Sequence, residues 1–190
     1  MRSYGYSYKM NAKEYQIQGI HLTIQNKPAF EMVGFKKPAN LGDGSIGAFI
    51  HQLTESGKIQ KLKDTSTVPT QVWVCLSDCQ FCGMGCTGYH VCCRVCVEKT
   101  ERHDFSAFEE QELYAFSLPA SEWVLYETHN PDATKTLHQI GIYELIKQVG
   151  YQWNETIRLH FDNEHECYDK QNTWIPGKTY HLLLPVTAVK

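Results

Sequence analysis

The sequence predicts an α+β fold: two pseudo-repeated βαββ units packed around a central ligand cleft. Three observations carry this. Short runs with period-two alternation recur along the chain, as in Ile20, Leu22 and Ile24 and again in Val72, Val74 and Leu76. Two segments instead place apolar residues at i, i+3, i+4 and i+7: Ile46, Phe49, Ile50 and Leu53, then Ile142, Leu145, Ile146 and Val149. The order of elements also repeats. Strand, Pro-containing turn, strand, loop, helix and glycine run from Ile20 to Gly57 and again from Leu113 to Gly150. Two such units, each burying one sheet face, would pack on each other and leave a cleft at the seam.

In chain order, residues 1–16 read as a polar, tyrosine-rich arm, and 17–190 as one domain with halves 17–98 and 99–190. Strand character begins at Ile20, Asn26-Lys27-Pro28 is a turn, and Phe30 to Phe35 is extended. Pro38 to Ser45 is a loop. A helix is expected from Ile46 to Ser56, with Ser45 or Asp43 capping its start and Gly57 ending it. Lys58 to Thr70 reads as polar loop. Val72 to Val97 reads as a long β-hairpin whose tip, Asp78 to Tyr89, is rich in Gly and Cys. A charged connector leads to strands at Leu113 to Leu118 and Trp123 to Thr128. The second helix is expected from Lys135 to Val149, with Thr134 as its cap and Gly150 at its end. Ile157 to Phe161, His165 to Tyr168 and Tyr180 to Val186 look extended.

Composition narrows the function. The net charge is −3, and Lys and Arg are scattered, which speaks against direct nucleic-acid binding. No apolar run reaches membrane-spanning length, and Met1 to Tyr15 lacks the apolar core of a secretory signal. A cytoplasmic location is therefore expected. There the 8 cysteines are expected as thiols or metal ligands rather than structural disulfides.

The cysteines concentrate in the hairpin. Cys79-Gln80-Phe81-Cys82-Gly83 has the form of a metal knuckle, and Cys86 lies within loop reach. Cys75 or Cys92 would supply the fourth thiolate, with His90 as a possible substitute. Zinc is the expected ion, and an iron–sulfur centre suits the same donors. Cys93 and Cys96 are also C-x-x-C, but on a continuous strand they face opposite sides and cannot share an ion. Thiol–disulfide chemistry and plain buried residues are the competing readings. His160, Asp162, Glu164, His165 and Glu166 have no recognisable ligand spacing, and Asp162-Asn163 reads as a turn in a solvated loop.

The segments FSLPASEWVLYETHNPDATKTLHQIGIYELIKQVG and ECYD, with the later HLLLPV, resemble the gyrase-inhibitor-like (GyrI-like) effector-binding family. The resemblance spans Gly19 to Val186 on loose apolar patterns. Members occur alone or fused to bacterial multidrug-responsive regulators. The resemblance implies two βαββ units and a pocket for hydrophobic, often cationic, small molecules. Its acidic residue would be Glu166, with Asp162 as the rival alignment, and its aromatic lining would come from Trp73, Trp123, Tyr126 and Tyr168. Trp123 and Tyr126 lie three apart on a strand, so at most one faces the pocket. Some members resemble hydrolases of reactive small molecules, for which Glu166 as general base beside Tyr168 would be the minimal set. The Cys-rich hairpin departs from the family pattern. The arm is too short for a helix-turn-helix, so any transcriptional role is expected to need a partner regulator or a homodimer.

Overall fold

The computed structural model describes residues 12–78 and 90–189. The tip of the expected hairpin, with Cys79, Cys82 and Cys86, lies outside the described residues, as do the side chains of Asp78 and His90.

Among the described residues ten strands form a single antiparallel sheet. They are β1 Lys13–Ile17, β2 Ile20–Lys27, β3 Phe30–Asn40, β4 Trp73–Asp78, β5 His90–Lys99, β6 Tyr114–Leu118, β7 Ser121–Thr128, β8 Tyr151–Trp153, β9 Leu159–Asp162 and β10 Tyr180–Ala188. Their order is β1-β2-β7-β10-β9-β4-β5-β3-β6, with β8 added beside β10. Four α-helices lie among the described residues: α1 Ser45–Glu55, α2 Lys58–Lys63, α3 Pro131–Ile140 and α4 Ile142–Gln148.

Local chemistry explains where these elements depart from expectation. Asp43 does receive the Ser45 N–H, at 2.8 Å, but the cap residue itself is Gly44 at positive φ. Gly57 closes α1 in the left-handed region and at once opens α2, a helix in the stretch expected to be loop. Ile59 and Leu62 are buried in that helix, so six residues suffice once they have a sheet to pack on. The second helix breaks in two at Gly141, whose φ of 85° suits glycine. It also begins earlier than Thr134. Asn130 accepts the Asp132 N–H at 2.9 Å, and Pro131 occupies the first turn.

The sheet is curled, and its two faces have different roles. On one face α1 and α2 pack over Phe35, Val74 and Val95. On the same face α3 and α4 pack over Leu22, Val124 and Leu184. The other face closes on itself around Trp73, Trp123, Phe161, Met32 and Leu118. Lys27 on β2 meets Glu98 on β5 at 2.8 Å although four strands, β7, β10, β9 and β4, stand between them in the order, which measures how far the sheet curls. Gly34 lies at a close approach of β3 to β5: a Cβ there would overlap the Val95 carbonyl and the Cys96 backbone, so only glycine fits.

Candidate functional site

Strand β9 reads Leu-His-Phe-Asp, and alternation divides it cleanly. Leu159 and Phe161 enter the filled inner core. His160 and Asp162 project to the helix-bearing face. In the ladder Asp162 lies between Leu182 of β10 and Val74 of β4. Leu182 belongs to the cluster under α3 and α4, and Val74 to the cluster under α1 and α2. The carboxyl therefore sits on the seam between the two helix pairs.

The charge of Asp162 is uncompensated. Its Oδ1 accepts the Glu164 N–H at 3.1 Å, and among the described residues no cation pairs with it. Burial pushes its carboxyl up to about 7; the hydrogen bond from Glu164 N–H pulls the other way, and the Glu164 charge adds a smaller rise. Burial likewise pushes His160 down, which keeps it neutral. Next along the chain His165 is pushed down to about 4, and its two ring nitrogens are buried with no hydrogen-bond partner among the described residues. On the α3 side His138 stands 3.9 Å from Glu164 and edge-on to Tyr180, with ring centroids 6.0 Å apart.

Glu166 has a different setting from the one expected. It lies in a short 3-10 helix, Glu164–Glu166, and not on a strand. Asn163 explains the change. Its side chain accepts the His181 N–H at 2.7 Å and donates to the Thr179 carbonyl at 2.9 Å, replacing the strand ladder and ending β9. Glu166 is then paired with Lys63 of α2 and receives Gln71 Nε2 at 3.1 Å. Its charge is already matched at the rim of the seam. The reading of residues 160–166 as solvated loop is also corrected, because His160 and Asp162 are strand residues on a packed sheet.

The expected aromatic lining divides between the faces. Tyr126 packs with Tyr180 on the helix-bearing side, centroids 6.0 Å apart. Tyr168 crosses Trp174 edge-on at 5.3 Å, at the margin of the same cluster. Trp73 and Trp123 are buried in the inner core, on the opposite face from Asp162. Trp123 and Tyr126 do face opposite ways. Tyr180 and His138 lie near the seam although the sequence reading passed over them. The Leu-His-Phe-Asp alternation was the signal available for the floor.

No family profile matches the chain, and no characterised protein matches it by sequence. Its fold is shared with solved structures. SAV2435 bound to tetraphenylphosphonium superposes with a TM-score of 0.61 at 15% identity, covering 87% of this chain and 93% of that one. A Staphylococcus aureus protein provisionally described as a bacterial transcription regulation protein gives 0.58 at 13% identity, over 90% of this chain and 100% of its own. The EcmrR C-terminal domain gives 0.50 at 14% identity, over 88% and 98%. These likenesses are in keeping with the GyrI-like resemblance in fold.

A cleft of about 510 Å³ lies between α1 and the connector before β6, lined by Phe35, Phe49, Lys58, Glu112 and Tyr114. Its acid is matched, since Lys58 stands 2.9 Å from Glu112. The cysteines of β4 and β5 are all buried. Cys75 and Cys92 are diagonal neighbours on the inner face, because Ser77 is the ladder partner of Cys92. Burial pushes Cys75 up to about 12. Among the described residues no three His, Cys, Asp or Glu are placed to hold a metal. Nor among the described residues is any helix long and apolar enough to cross a membrane.

Proposed function

We propose that the chain is a small-molecule binding domain that takes bulky apolar ligands, preferentially cationic, in the seam between the two helix pairs. The observation that carries this is Asp162: a desolvated acid without a cation partner, flanked by apolar clusters on both sides. A lipophilic cation satisfies both features, because its charge meets the carboxyl where dielectric screening is weak and its apolar body meets Leu182 and Leu76, the β4 ladder partner of His160 on the same face. Support comes from SAV2435, which shares the fold and is seen with a cation of this kind, and from the EcmrR domain, whose parent protein is seen in a DNA complex.

The strand order supports the two-unit βαββ reading. Outward from the β9–β4 junction, β10 stands opposite β5, β7 opposite β3, and β2 opposite β6. Each set of four holds an adjacent pair and a helix-spanned pair from its own half, except that β2 and β6 are exchanged between the wings. On this reading the seam is the pseudo-twofold axis.

The test is calorimetric titration with tetraphenylphosphonium at pH 8. Saturable one-to-one binding is expected, weakened about tenfold or more in Asp162→Asn. Leu76→Trp, which fills the seam floor, should abolish it, and Glu166→Gln should leave it nearly unchanged. Absence of binding in the native chain would refute the reading. Separately, the zinc site of Cys79, Cys82 and Cys86 with Cys75 or Cys92 remains our proposal from the C-x-x-C-G spacing. Protein purified without added metal should carry about one equivalent of zinc, and less than about a tenth would rule the site out.

A further inference from the structure

We propose that a proton serves as the counter-ion of Asp162 in the empty domain, and that an entering lipophilic cation expels this proton to solvent while a neutral ligand leaves it in place. The inference rests on the binding reading above and adds its ligand discrimination and its pH response. The geometry supports it. Asp162 receives one hydrogen bond, from Glu164 N, and has Val74 and Leu182 as ladder neighbours. Of the lysines near this region, Lys63 is committed to Glu166, and Lys178 bears on His165 and Cys167 but forms no ion pair with Asp162. A bare carboxylate in this setting is costly, and a carboxylic acid is not.

The other groups facing the site do not take over the proton. On the same strand His160 is held neutral by burial. From β5, Cys93 is pushed up to about 12 by burial, and Cys167, beyond the 3-10 helix, likewise. From β10, the phenol of Tyr180 is raised far above its ordinary range. At the rim, Glu164 and the α3 residue His138 stand 3.9 Å apart. Asp162, half-buried and raised to about 7, is left as the group on the seam that changes charge near neutrality. The exchange balances: cation and acid form an ion pair, and one H⁺ goes to the buffer.

The sign follows from linkage. The free domain holds the proton below pH 7 and the cation complex does not, so cation affinity rises with pH and levels off above pH 7. Between pH 6 and pH 8 the gain for tetraphenylphosphonium should be about tenfold, and the neutral triphenylphosphine oxide should show none. Titrating the native chain at pH 7 in phosphate and in Tris, which differ in ionisation heat, should report about half a proton released per cation bound. His138→Gln should keep the pH response, and Asp162→Asn should lose it while remaining folded by circular dichroism. One-to-one cation binding with equal affinity at pH 6 and pH 8 and no proton release would overturn the exchange and leave the binding reading standing. A pH response that survives in Asp162→Asn would also overturn it. No binding of either probe at any pH would remove both.

Discussion

Trp123→Ala is expected to cost about 3–5 kcal/mol of folding stability, the range for removing a large aromatic from a core that cannot collapse. Trp123 is fully buried. It contacts Phe30 at 5.5 Å and Phe161 at 6.0 Å between ring centroids, and Phe161 in turn meets Trp73 at 6.1 Å. These rings join β3, β7, β9 and β4 across the inside of the curl, so the loss would loosen both wings together. The indole nitrogen is buried with no hydrogen-bond partner among the described residues. Trp123→Phe removes that unsatisfied donor along with part of the ring, so the two effects oppose each other and the cost should fall to about 1–2 kcal/mol. Urea unfolding of the three proteins checks this ordering, with similar m-values expected. Because Trp123 faces away from the seam, Trp123→Phe should bind tetraphenylphosphonium like the native chain. A large loss of cation affinity at unchanged stability would show that the ligand enters the inner face.

The aromatic hub also shows how much the sequence disclosed. That Trp123 and Tyr126 must face opposite ways follows from spacing alone. Which of them faces the site does not, because it depends on pairings such as β2 with β7 and β3 with β6, which join distant parts of the chain. The two amphipathic stripes announced α1 and α4 because each needed one periodic face. Helix α2 escaped because its six residues carry only two buried side chains, and β1 because its pattern is mostly polar, as an edge strand allows. The strand alternation of Leu159 to Asp162 was readable, but Asp-Asn is a frequent turn pair and that local preference obscured it. Asn163 does end the strand, one residue after Asp162 has been placed on the seam. The choice between Glu166 and Asp162 could not be made from spacing. In the proposed site it turns on Lys63, which pairs with Glu166 and lies on the helix that the pattern missed.

Asp162→Asn is expected to stabilise the empty domain at pH 8 by about 2–4 kcal/mol and to change it little at pH 4. The carboxyl has a folded value of about 7 against an ordinary 3.8. Below the ordinary value both folded and unfolded chains hold the proton, and burial carries no ionic penalty. Between 3.8 and 7 the unfolded chain ionises while the folded one resists, so the penalty grows with pH. Above 7 both are ionised and the penalty is complete, at about 4 kcal/mol if the whole shift applies and less because Asp162 retains partial exposure. Asparagine keeps an oxygen for the Glu164 N–H and cannot ionise, so it removes the penalty without removing the bond. Urea unfolding at pH 4, 6 and 8 measures the gap, which should open as pH rises. A gap that stays constant across this range would mean that water already solvates the carboxyl, and a solvated carboxyl has no need of a cation. The same substitution is expected to weaken tetraphenylphosphonium binding at pH 8. Stability and affinity should therefore move in opposite directions on changing one residue, as expected where a fold maintains an uncompensated charge for a ligand to neutralise.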